Sequence, residues 1–229
     1  MSTPQASHDT AIDPFHPLLR IVDRYRRDVH QLNPPPSAEA LTGAEAYIER
    51  PLPPGLARFL RRYNGASLFR GALTLRSLAQ LAPASAAARS VIVFADGPGP
   101  ADRWAFVAGP TGGDLFGRWV DERFEPLHER FVPWLMGTVR ILDENLADPE
   151  AMLSARLDAD PEGPWLLIKD ALMHLTAGDP DRAAAQLQRA VAIESGAVVG
   201  WARLGDAQIG ENDAVSYTHL RAHETVRNL

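Results

Sequence analysis

The chain has 229 residues, 45% of them hydrophobic and 23% charged, with 23 Lys and Arg against 29 Asp and Glu and a formal net charge of -6. That composition is ordinary for a globular protein of one large or two small domains, and the acidic balance argues against general affinity for nucleic acid. The absence of cysteine excludes disulfide scaffolds, thiol catalysis and cysteine-zinc sites.

Residues 1–14 are polar, show no basic-then-apolar leader pattern and read as a disordered N-terminal segment. No run of eighteen apolar residues occurs, so no membrane span is expected, and a cytoplasmic location follows. Leu18, Leu19, Val22, Tyr25, Val29 and Leu32 recur at helical spacing. They predict one amphipathic helix ended by Asn33 and Pro34-Pro35-Pro36, with Arg20, Arg24, Arg26 and Arg27 on a solvated face. Thr42 and Glu45 form a capping-box pattern, which places a second helix start near Thr42. Pro54 suits the first turn of a third helix, because its missing N–H would be unpaired there in any residue. Leu56, Phe59, Leu60 and Tyr63 make one face of that helix, and Asn64-Gly65 closes it.

From Ser67 to Val120 the period changes. Short apolar or alternating runs (Leu73–Leu75, Val91–Phe94, Trp104–Val107, Leu115–Val120) are separated by Asp96-Gly97-Pro98-Gly99-Pro100 and by the glycine-rich stretch 109–114. This predicts an antiparallel meander with hairpin turns. The alanine-rich piece 78–89 reads as a loose helix. Phe131, Val132, Leu135, Met136, Val139 and Leu142 return to helical period. Helices, then strands, then helices give an α+β class, a small antiparallel sheet with flanking helices.

The C-terminal part carries a period of 34: Leu167 matches Trp201, Ala171 matches Gly205, Leu175 matches Ile209 and Asp179 matches Asp213. Trp201-Ala202-Arg203-Leu204-Gly205, with Gly178, Ala183, Leu187 and Ala190, resembles the tetratricopeptide repeat. That resemblance implies an α-helical hairpin and the start of a second unit. Lys169, Asp170 and Ser195 depart from the pattern. Residues 214–229 are set apart. The run Ala214 to Thr225 resembles a translated sequencing-library adapter, and the repeat breaks at the same place. Four segments result: 1–14, an α+β domain over 15–148, a helical linker with a truncated repeat over 149–213, and a non-native tail over 214–229.

No catalytic constellation emerges. Residues 109–117 are glycine-rich but lack the lysine of a phosphate loop, no G-x-S-x-G elbow occurs, and His16, His30, His128 and His174 lack the close spacing of zinc ligands. Asp143 and Glu144, being adjacent on a helix, diverge by about 100° and read as solvated charge. No catalytic residue, cofactor or metal is therefore expected. Twenty-two arginines against a single lysine, Lys169, with abundant alanine, fit a GC-rich bacterial genome.

The stretch Leu52-Pro53-Pro54-Gly55-Leu56-Ala57-Arg58-Phe59-Leu60-Arg61-Arg62-Tyr63-Asn64-Gly65-Ala66 is similar to the signature of the SUKH superfamily. That superfamily joins a yeast cell-wall-assembly regulator with bacterial toxin-immunity proteins. The resemblance covers about residues 38–145; Ala66-Ser67 stands where many members have a second glycine. It implies a non-enzymatic, protein-binding adaptor, with a cognate toxin among the partners implied. An acidic face would suit a basic partner. By exposure, the loop carboxylates Asp96, Asp102, Asp114, Asp121 and Glu122 are the candidate binding residues, joined by Trp201 and Leu204 of the repeat. Trp104 and Trp119 read as buried sheet residues rather than interface anchors. The other function these residues allow is a tetratricopeptide-based scaffold unrelated to toxin immunity.

Overall fold

The computed structural model describes residues 13–25, 28–99, 102–109 and 112–193. Trp201, Leu204, the second repeat unit and the tail lie outside the described residues. The elements in chain order are α1 (His16–Val22), β1 (Gln31–Leu32), α2 (Ala38–Tyr47), α3 (Pro54–Arg62), β2 (Ala66–Leu68), β3 (Leu73–Leu75), β4 (Ala82–Pro83), β5 (Ile92–Asp96), β6 (Arg103–Ala108), β7 (Asp114–Val120), β8 (Arg123–His128), α4 (Phe131–Asp143), α5 (Pro149–Ala159), α6 (Pro164–Thr176) and α7 (Pro180–Ile193). The class is α+β, with one eight-stranded antiparallel sheet in the order β1-β2-β3-β5-β6-β7-β8 and β4 beside β3 on the same flank of β5.

Local chemistry explains most boundaries. α3 opens on Pro54 and buries Leu56, Ala57, Phe59 and Leu60. It ends at Asn64-Gly65, where Gly65 has φ +88°. A Cβ there would lie 2.7 Å from the Leu75 carbonyl oxygen, so glycine is required by both torsion and space. Asn64 also ties the helix end to the sheet. Its Oδ1 accepts from the Leu78 N–H at 2.9 Å and its carbonyl accepts from Asn33 Nδ2 at 2.9 Å. The β5–β6 hairpin closes with Gly97 N–H donating to the Asp102 carbonyl.

Three expectations are corrected. The first helix ends at Val22 rather than running to Leu32, because Leu32 is taken into β1, pairing with Ala66. α2 starts at Ala38, capped by Ser37 Oγ, which accepts from Ala40 N–H. Thr42 lies inside that helix, and Glu45 caps no helix; its Oε1 instead accepts from the Leu52 N–H at 2.9 Å. The stretch 78–89 is not a helix. A single 3-10 turn, Leu78–Gln80, carries the capping box between Ser77 and Gln80. Pro83 then stops helix growth, and Ala82 and Pro83 pair with β5.

Strand alternation divides the sheet into two faces. One face carries Phe94, Trp104, Phe106 and Phe116 into the main core, against Phe59, Phe131, Trp134 and Leu135 of the helices. Phe94 and Trp134 meet edge to face at 4.6 Å, and Trp134 is fully buried. The other face carries Val91, Val93, Ala105 and Trp119 beneath Ala84 and Ala88. Trp104 and Trp119 are thus both buried. Leu153 of α5 and Leu166 of α6 join the main core, so these two helices pack on the sheet's helical layer. α6 and α7 form a hairpin around Gly178, with Ala171, Ala183 and Ala190 buried between them. Among the described residues no helix is long and apolar enough to cross a membrane.

Candidate functional site

In a meander alternate turns fall at opposite ends of the sheet. The β5–β6 and β7–β8 turns therefore share one end, and the β6–β7 turn lies at the other. Asp96, Asp102, Asp121 and Glu122 lie at the first end, while Asp114 stands at the second. Four of the five loop carboxylates thus share one end of the sheet.

Most of these carboxylates are already engaged. Arg76 forks onto Asp96, with Nε and Nη2 each 2.7 Å from an oxygen. Arg118 of β7 holds Asp102 at 2.9 Å. Arg50 holds Asp114 at 2.5 Å and lies over the Phe106 ring at 5.1 Å. Partial burial raises the Asp114 carboxyl above the usual range, and the Arg50 charge opposes that shift. Asp121 and Glu122 differ. They are exposed, make no ion pair among the described residues and form the two-residue β7–β8 turn with φ of 49° and 62°. Two left-handed residues match the twist of a hairpin, at a cost for side chains other than glycine.

The sequence missed the three arginines because it weighed exposed acids alone. The signal was present in strand alternation: Arg118 is paired across the sheet with Trp104 and Glu125, so it must share their face.

A second polar group lies where β8 meets α5. His128 is fully buried and its Nδ1 stands 3.5 Å from Asp160 Oδ2, while Arg130 holds Asp160 Oδ1 at 2.7 Å. Burial lowers the His128 pKa below its ordinary value, opposed by the hydrogen bond with Asp160. Burial would raise Asp160, but hydrogen bonds from His128 and Arg130, with their charge, outweigh it and hold the carboxyl low. A carboxylate only accepts, so the contact requires the proton on Nδ1. His128 Nε2 is then a buried atom with no partner among the described residues. The ring touches no solvent, so this pair braces β8 against α5.

Nearby, Arg156 of α5 is buried. It donates to Thr138 Oγ1 at 3.2 Å and lies 5.2 Å from the Trp104 ring. Burial, with help from the Arg118 charge, lowers its pKa to about 10. Lys169 of α6 is likewise lowered, chiefly by burial, with Glu125 opposing and Arg156 and Arg118 adding to the effect. Arg118 of β7, Arg156 of α5 and Lys169 of α6 thus lie near enough to oppose one another's charge, with Glu125 of β8 offsetting it at Lys169. Asp143 and Glu144 take different partners, and neither is simply solvated. Asp143 accepts from Arg24 and from the Tyr25 hydroxyl, both at 2.6 Å, and Glu144 accepts from Arg140 at 2.8 Å. Asp13, expected in the loose N-terminal segment, is held by Arg62 at 2.6 Å. Among the described residues no group of three or more His, Asp or Glu could hold a metal ion.

No protein-family model, curated protein or solved structure matches this chain.

Proposed function

We propose that the protein is a non-enzymatic partner-binding protein of the SUKH type, working as an immunity protein or adaptor that covers part of another protein, a toxin being the first candidate. The observation that carries this reading is the hairpin end of the sheet. Asp96 is fixed by Arg76, just after β3, and Asp102 by Arg118 of β7, and Asp121 and Glu122 form an exposed tight turn at the same end. Groups held in place before binding lose little freedom on association, which favours recognition. The order of elements also supports the reading: the Leu52–Ala66 signature spans α3 and its closing turn, followed by meander and closing helix.

The test is co-expression of the full chain with each gene encoded beside its own, a toxin being expected among them. Restored growth and co-purification are expected, and D121K/E122K should weaken the complex with a steeper loss at low salt. A chain that neither rescues growth nor co-purifies with any neighbouring product removes the reading.

A second reading is favoured by the small residues Ala171, Ala183 and Ala190 buried between α6 and α7. In it these helices begin a tetratricopeptide platform that does the binding. Leu166 belongs to the main core, so deleting the hairpin would damage the fold. The discriminating variant is R189E/I193E on the exposed side of α7. It abolishes capture under the platform reading and leaves it unchanged under the first.

A further inference from the structure

A groove of about 560 Å³ opens beside α3. Its floor is apolar, built from Phe15, Leu52 and Ala57. Its rim carries Arg58, Arg61 and Arg62. These follow from the α3 sequence: with Leu56, Phe59 and Leu60 turned into the core, the arginines at i, i+3 and i+4 share the outer side.

The charges in the groove are unequally satisfied. Arg62 is paired with Asp13, whose other oxygen accepts from the Phe15 N–H. Glu45 is committed to the Leu52 N–H. Arg58 and Arg61 make no hydrogen bond or ion pair among the described residues, although most arginines described here do. Their like charges one turn apart repel by a few tenths of a kcal/mol. A carboxylate placed between them would relieve that repulsion and take a forked pair of hydrogen bonds.

We infer that this groove docks an acidic segment of a partner protein, with an apolar side chain over Phe15, Leu52 and Ala57 and a carboxylate on Arg58 and Arg61. The apolar floor suits such a peptide, while Asp13 and Glu45 in the wall, each already engaged by a donor of this chain, leave room for a single carboxylate at Arg58 and Arg61 and disfavour a dense row of phosphates. The inference rests on the partner-binding reading and deepens it, because it assigns a negative charge to one segment of the partner.

The experiment titrates the full chain into a fluorescein-labelled peptide of alternating glutamate and leucine, followed by anisotropy. Saturable binding is expected, weakened at least about tenfold by R58E/R61E and unchanged by R123E, an exposed arginine of β8 that does not line the groove. Circular dichroism checks that the variants stay folded. R58Q/R61Q is the milder pair and should weaken binding in the same direction. Absence of saturable binding, equal loss from R123E, or equally tight binding of a single-stranded DNA of similar length overturns the inference. A chain that still captures its partner protein while ignoring the peptide loses this inference alone. Peptide binding through Arg58 and Arg61 without capture of any protein keeps the groove and removes the reading of the hairpin end.

Discussion

His128 joins two facts that pull in one direction. The ring is fully buried, and it is held neutral against a carboxylate whose own pKa is depressed. The folded state therefore binds fewer protons than the unfolded state at both groups. Their contribution is complete above the ordinary histidine value of 6.5 and is lost as pH falls, first through His128 and then, near and below the ordinary carboxylate value of 3.8, through Asp160. Arg130 and Arg156 face the same ring and add to the cost of charging it. We predict that the urea midpoint drops as pH is lowered from 7 through 6.5, and that His128→Gln flattens this first drop while leaving the later one. An unchanged profile in the variant would mean that another group titrates. None of this was legible from spacing, because His128 and Asp160 are 32 residues apart and meet only when the C-terminal cap of α5 reaches the end of β8. What could be read was local: Pro54 at a helix start and Gly65 at a helix end are requirements of single torsions, and both hold.

At the scale of elements, the meander was readable because alternation and turn residues speak for themselves over five or six positions. The short pieces were not. β1 and β4 have two residues each, too few for any period, and each is made a strand by its neighbour rather than by its own composition. The alanine run after Leu78 favours helix intrinsically, yet the ladder to β5 and the proline override it. The β7–β8 pair contains a device no pattern announces. The register shifts between Phe116 and Gly117, so that β8 carries Leu127 as an extra residue. At this point the strands approach so closely that a Cβ on Gly117 would fall 1.9 Å from the Glu125 carbonyl oxygen. Gly117→Ala is therefore expected to break the pairing there and cost at least about 3 kcal/mol. Hydrogen exchange should show lost protection at Arg118 and Leu127 before the rest of the sheet. A melting temperature within a degree or two of the parent would refute the close approach.

For the whole molecule, the main core is shared between the sheet and helices that the sequence placed in different segments. Leu153 and Leu166 sit in the same cluster as Phe94 and Trp134. Leu166→Ala should consequently destabilise the entire unit by about 2–5 kcal/mol, shifting one calorimetric transition down rather than splitting off an early melt of α5 and α6. Two separated transitions would count against a single core. A division near residue 148 follows the two resemblances, one ending near 145 and the other beginning beyond it, and local patterns of that kind do not report which surfaces the later helices cover.

The position of α6 carries one more consequence. Trp165 joins Leu115 on one face of the sheet while its neighbour Leu166 enters the core on the other, so the helix straddles the free margin of β8. The opposite margin ends in the two-residue β1. Among the described residues, a two-residue strand at one border and a helix overlying the other disfavour the addition of a further strand. That shifts the burden of recognition toward side chains, and with it toward the charge of a few surface residues.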